Sequence, residues 1–139
     1  MKHIKKFKEN NDYINGWVVN GIYFAAGFEE SQFTRLPKES LDKIESIFDS
    51  INKKYNPLCR LEGYWLYGVY AAKYGIWIPG YSFQVPFTNF DDAENAAKEI
   101  VSELKSVYNN PICIAISQGT IKPNHDDPLM SDGTAYHKS

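Results

Sequence analysis

Between Gly63 and Phe87 the chain carries nine of its 21 aromatic residues and a single charge, Lys73, within 25 residues. A stretch so rich in Tyr, Trp and Phe, punctuated by Gly and Pro, suits paired β-strands better than a helix or a solvated loop. The remainder of the chain must then supply elements that cover this sheet.

Inside the run, alternation sets Trp65, Tyr67 and Val69 against Tyr64, Leu66 and Tyr70. Both sets are apolar, which places the strand at the centre of the sheet. Lys73-Tyr74-Gly75 is expected to turn, and Pro79-Gly80 suits a type II turn or a bulge. Tyr81, Phe83, Val85 and Phe87 then alternate with more polar residues along a returning strand, whose far end Pro86 makes a poor place for continuous pairing.

Upstream, Gly16 to Ala25 reads as two β-prone runs joined by Asn20-Gly21, a pair that favours the type I′ turn of a hairpin. In that register Trp17, Val19, Ile22 and Phe24 share the buried face, with Val18 and Tyr23 on the other. Pro37 suits the first turn of a helix reaching Tyr55, in which Leu41, Ile44, Ile47, Phe48, Ile51 and Tyr55 form one apolar face and Asn56-Pro57 is the stop. A second helix is expected from Asp91-Asp92-Ala93-Glu94, read as a capping box, with Ala93, Ala96, Ala97, Ile100, Val101, Leu104, Val107 and Tyr108 as its stripe. Ile112 to Ile116 then reads as a buried strand containing Cys113.

Two helices with one apolar face each need a sheet to cover. The expected fold is α+β, a two-layer sandwich of a mainly antiparallel sheet with two amphipathic helices on one face, in the order β-hairpin, α, β, β, α, β, loosely ferredoxin-like. The strands flanking the second helix are expected to be parallel neighbours. Residues 1–11 read as a flexible lysine-rich lead, 12–120 as a single domain and 121–139 as a loose tail. A chain of 139 residues buries a sufficient core without disulfide or metal.

Charge narrows the functional classes. The net charge is −2, but Lys2, Lys5, Lys6 and Lys8 belong to the lead, and without those four lysines the chain holds 11 basic against 17 acidic residues. Such a body has no electrostatic drive toward nucleic acid. No apolar run spans a membrane or resembles a signal peptide, so the expected location is cytoplasmic, with Cys59 and Cys113 as free thiols. Phosphate loops, HExxH, GxSxG and zinc-type spacings are absent, so no catalytic residue, metal or cofactor is assigned. His125-Asp126-Asp127 offers ligand atoms only within the expected tail.

What remains is the aromatic surplus, because Tyr and Trp are the usual anchors of protein interfaces. The sequence therefore points to a small non-catalytic interaction module, of inhibitor, immunity or regulatory type, acting on a protein partner or on itself. Tyr64, Trp65, Tyr67, Tyr70, Tyr74 and Trp77 are the candidate partner-binding residues. Two other classes stay open: a small enzyme or ligand-binding domain with an aromatic pocket, and single-stranded nucleic-acid binding through stacked rings.

Overall fold

A computed structural model describes residues 13–24, 37–71, 76–107 and 112–129. The lysine-rich lead, the Lys73-Tyr74-Gly75 turn and residues 130–139 lie outside the described residues. Strand β1 (Ile14–Phe24) is followed by helix α1 (Lys38–Tyr55), the two-residue β2 (Cys59–Arg60), β3 (Gly63–Ala71) and β4 (Ile76–Phe87). Helix α2 (Phe90–Lys105), β5 (Ile112–Ile121) and β6 (Asn124–Pro128) complete the order. The main sheet runs β3-β4-β1-β5 with every neighbouring pair antiparallel. Numbered within this sheet alone, that is the 4-1-3-2 order of a split βαββαβ fold. It is an α+β two-layer sandwich, as expected.

The expected hairpin is instead one strand. Asn20 and Gly21 sit in the middle of β1, in register with Gln84 and Phe83 on one side and with Ala115 and Ile114 on the other. Glycine is there for close approach: a Cβ on Gly21 would stand 2.1 Å from the Phe83 ring, so the ring occupies the space a side chain would take. Asn20 spends its amide across strands, accepting from Gln84 Nε2 at 3.0 Å and donating to Ser117 Oγ at 3.2 Å. Continuous alternation then puts Val19 and Tyr23 together in the main core and Val18 in a second cluster behind it.

Strand positions shift accordingly. β1 is central, whereas β3 pairs with β4 alone among the described residues and is an edge, contrary to the inference from its two apolar faces. β4 and β5 run parallel but are separated by β1, so the crossover through α2 skips one strand. Pro79-Gly80 lies within β4 rather than at a turn, at the place where the β3–β4 register shifts, with Leu66 opposite Gly80 and Val69 opposite Ile78, as the bulge alternative expects. Pro86 is also inside the ladder, opposite Val18. Its carbonyl accepts from the Leu58 N–H at 2.9 Å, so its backbone polar groups point away from β1 and the missing N–H interrupts no bond to that strand.

The helices form as their periodicity requires. α1 buries Ile44, Phe48 and Ile51, and ends at Asn56, whose N–H still reaches the Asn52 carbonyl and whose left-handed φ of 45° turns the chain out of the helix. α2 buries Ala93, Ala96, Ala97, Ile100 and Leu104. Its cap lies two residues before the expected Asp91: Asn89 Oδ1 accepts from the Asp92 N–H at 2.8 Å, and Asn89 Nδ2 donates to Asp92 Oδ2. Together these helices cover Val19, Tyr23, Phe83, Val85 and Phe87 on the front of the sheet.

The back of the sheet is closed by a part of the chain expected to be loose. β5 extends to Ile121, and β6 pairs in parallel with β2. Ile121 and Leu129 join Val18, Leu58 and Cys59 in the second cluster. Packed residues therefore include Ile121 and Leu129, beyond the boundary set at 120. Cys113, expected in a buried strand, instead faces outward on β5 because Ile112, Ile114 and Ile116 take the core-facing positions, and Cys59 is the buried thiol. Both are free. Burial raises the Cys59 thiol above its usual range.

Candidate functional site

Four segments converge in front of the sheet on a concavity of about 310 Å³ between α1 and the entry to β3. Its floor is Tyr23 from β1 and Tyr81 from β4, whose rings stack with centroids 5.1 Å apart and planes 12° from parallel. Gly63 allows the strand to pass over them, since a Cβ there would stand 2.8 Å from the Tyr23 hydroxyl and 3.2 Å from Phe48. Leu41, Ile44 and Phe48 of α1 form the apolar wall.

The rim is charged. Glu45 and Asp49, one helical turn apart, stand on α1, and opposite them stand Arg60 at the end of β2 and Glu62 in the segment that joins β2 to β3. That segment is held by a two-way bridge from α1: Asn52 Nδ2 donates to the Leu61 carbonyl at 3.0 Å and the Leu61 N–H donates to Asn52 Oδ1 at 2.7 Å. Arg60 Nη2 meets Glu62 Oε2 at 2.7 Å, both half exposed. One guanidinium thus stands among three carboxylates, and two of the three have no cation paired to them among the described residues.

Of the six aromatic residues singled out in the sequence, only Tyr64 has a described side chain. It is half-buried, and its hydroxyl is enclosed with no hydrogen-bond partner among the described residues. Burial, then the charge of Glu62, raises its pKa above the usual phenol value, with Arg60 opposing. The β3–β4 register sets Trp65 opposite Tyr81 and Tyr70 opposite Trp77 along the backbone, and shifts between Leu66 and Val69. That shift breaks the strict alternation assumed across Tyr67. The side chains of Trp65, Tyr67, Tyr70 and Trp77, and all of Tyr74, lie outside the described residues.

The sequence did not single out Tyr23, Tyr81, Glu45, Asp49, Arg60 or Glu62. The i, i+4 carboxylates on α1 read as an ordinary solvated helix face, and their tyrosine neighbours come from strands far apart in the chain. His125, in turn, is a structural residue: its Nδ1 lies 2.7 Å from the Pro57 carbonyl. Asn124 Nδ2 donates to Asp127 at 2.7 Å. Among the described residues no three of His, Cys, Asp and Glu converge to hold a metal, and no helix is long and apolar enough to cross a membrane.

No protein-family model matches the chain, and no curated protein matches it. Among solved structures it is similar to a hydantoinase/carbamoylase family amidase from Burkholderia ambifaria, with a TM-score of 0.38 and 9% identity. The match covers 86% of this chain and 30% of the amidase, so the chain spans less than a third of that protein's length.

Proposed function

We propose that this protein is a small non-catalytic interaction module, and that it receives a cationic side chain of a protein partner in the concavity over Tyr23 and Tyr81. The observation that carries this reading is the pairing of an apolar wall with an acidic rim. Leu41, Ile44 and Phe48 suit the methylene stem of Lys or Arg, while Glu45 and Asp49 stand where its charged head would emerge. The acidic balance of the body favours such a partner. Among the described residues the polar groups of the lining are the carboxylates of Glu45, Asp49 and Glu62, the Arg60 guanidinium and the two tyrosines, a set whose acidic excess suits a cation. The same reading keeps the protein in the cytoplasm, in line with its two unpaired thiols.

A second reading, a small-amine binding domain, is favoured by the size of the concavity, which lies at the lower end of the range for small-molecule sites. Both readings meet one test. N-acetyl-arginine amide and N-acetyl-lysine amide, titrated against labelled protein, are expected to shift the Tyr23 and Tyr81 ring resonances, and N-acetyl-leucine amide is not. The double variant Glu45→Gln, Asp49→Asn should remove the response without moving the thermal midpoint by more than a few degrees. Equal responses to all three compounds, or none, would end the cation-receiving reading. A response to the free compounds with none to peptides containing Arg or Lys would select the small-amine reading.

A further inference from the structure

We propose that two copies of this chain associate by pairing their β5 strands antiparallel about a two-fold axis near Ala115, joining the two sheets into one. The inference rests on the outer edge of β5 and the groove beside it, and makes no use of the tyrosine-floored concavity.

β5 is the edge opposite β3 in the sheet, and the two edges differ. Proteins guard exposed edges with charges, prolines, bulges or short strands, because an unpaired row of N–H and C=O groups invites another strand. β3 is interrupted by its register shift between Leu66 and Val69. β5 has no such guard: Ile112–Ile121 stays in unbroken register with β1 over ten residues and contains neither a charge nor a proline. Among the described residues nothing pairs with its outer side.

The neighbouring surface says what would cover it. Ala97 and Val101 of α2 and the half-buried Ile114 and Ile116 of β5 line an apolar groove along this edge, with Glu94 at one end and Lys105 at the other. Glu94 makes only a surface contact with Lys98 at 3.6 Å, and Lys105 has no ion-pair partner among the described residues. A two-fold axis reverses the direction of the groove, so that Glu94 of each copy comes to the end that holds Lys105 of the other. A foreign strand would have to match this charge order by chance, whereas a second copy matches it by symmetry. An axis at Ala115 sets Ile114 of one copy against Ile116 of the other, and brings the small, exposed Ala115 opposite itself.

The full chain is expected to sediment as a concentration-dependent dimer. Ala115→Lys adds a charge at an outward position of the strand and should weaken association about tenfold or more, because like charges would meet at the axis. Reversing Glu94→Lys or Lys105→Glu alone should weaken it roughly three- to tenfold, and the two together should restore it. Ala115→Cys with Cys113→Ser should give a cross-linked dimer on mild oxidation, since opposed Cα atoms in antiparallel strands lie about 4.5–5.5 Å apart. If Ala115→Lys proves poorly folded by circular dichroism, the charge reversals and the cross-link decide. A wild-type chain that stays monomeric at every concentration overturns the proposal. So does a dimer that ignores the charge reversals and yields no cross-link at position 115.

Discussion

On the front of the sheet, Val19, Tyr23, Phe83, Val85 and Phe87 meet apolar side chains that recur at helical spacing along α1 and α2. On the back, Val18 meets Leu58, Cys59, Ile121 and Leu129, which come from short segments with no periodic pattern at all. Beyond that cluster the back carries a polar set, Asn20, Gln84 and Ser117, bonded across three strands. A face closed by regular elements advertises its cover in the sequence, because periodicity is a local property. A face closed by crossing segments does not, because its order comes from single hydrogen bonds such as Leu58 N–H to Pro86 and Asn124 N–H to Leu58.

The largest expected effect lies at the front, where Phe83 lies over Gly21 and against Phe48 and Tyr23. Phe83→Ala should cost about 3–5 kcal/mol in denaturant unfolding. Gly21→Ala alone should also destabilise, since its Cβ would meet the ring. In the double variant the losses should fall short of their sum, because the missing ring gives the new methyl its space. Full additivity would mean that Gly21 is in β1 for some reason other than Phe83.

Next in size is the back cluster. Leu129→Ala should cost about 2–4 kcal/mol, and truncation after Ile121 should cost more, since it uncovers Val18, Leu58 and Ile121 together. The comparison of faces breaks if truncation leaves the denaturation midpoint unchanged, for then the back would need no cover. In the native protein, the exposed Cys113 should react with a thiol reagent well before the buried Cys59, and truncation should bring their rates together.

Both helices were legible because Ile44, Phe48 and Ile51, and Ala93, Ala97, Ile100 and Leu104, keep one face over several turns. Asn20-Gly21 misled because its two residue types serve a turn and a strand equally well. Glycine offers positive φ in one case and room for a distant ring in the other, and the ring lies 62 residues away at Phe83. The tail misled for a similar reason: Ile121 and Leu129 are isolated apolar residues, and only the fold brings them together with Val18, Leu58 and Cys59. The concavity was illegible because Tyr23, Asp49, Glu62 and Tyr81 are neighbours only through the topology.

A smaller effect is expected on the polar part of the back face. Asn20→Ala removes the acceptor of Gln84 Nε2 and the donor to Ser117 Oγ at a half-buried position. Its cost should be about 1 kcal/mol, with the denaturant slope unchanged. A cost as large as that of Leu129→Ala would show the polar ladder to be as firmly enclosed as the cluster beside it.

The smallest effect tests whether the front layer depends on anything besides apolar contact. Lys54 near the end of α1 donates to Glu99 Oε1 of α2 at 2.6 Å, the described ion pair that links the two helices. The hydrogen bond to Glu99 and its charge raise the lysine pKa above the ordinary 10.5. A lysine with a raised folded-state pKa contributes stability that is fully present below its unfolded value and is lost as pH rises through the folded one. The Lys54 side chain is more than half exposed, so solvent screens the pair. The thermal midpoint of Lys54→Met should therefore lie slightly below that of the wild type from neutral pH to about pH 10, and the difference should vanish above the folded lysine value. Salt should shrink it in the same way. A difference that persists at high pH and high salt would assign the loss to the methylene stem of Lys54 against the Tyr55 ring, 5.5 Å from its ammonium, and the front layer would then be held by apolar packing alone.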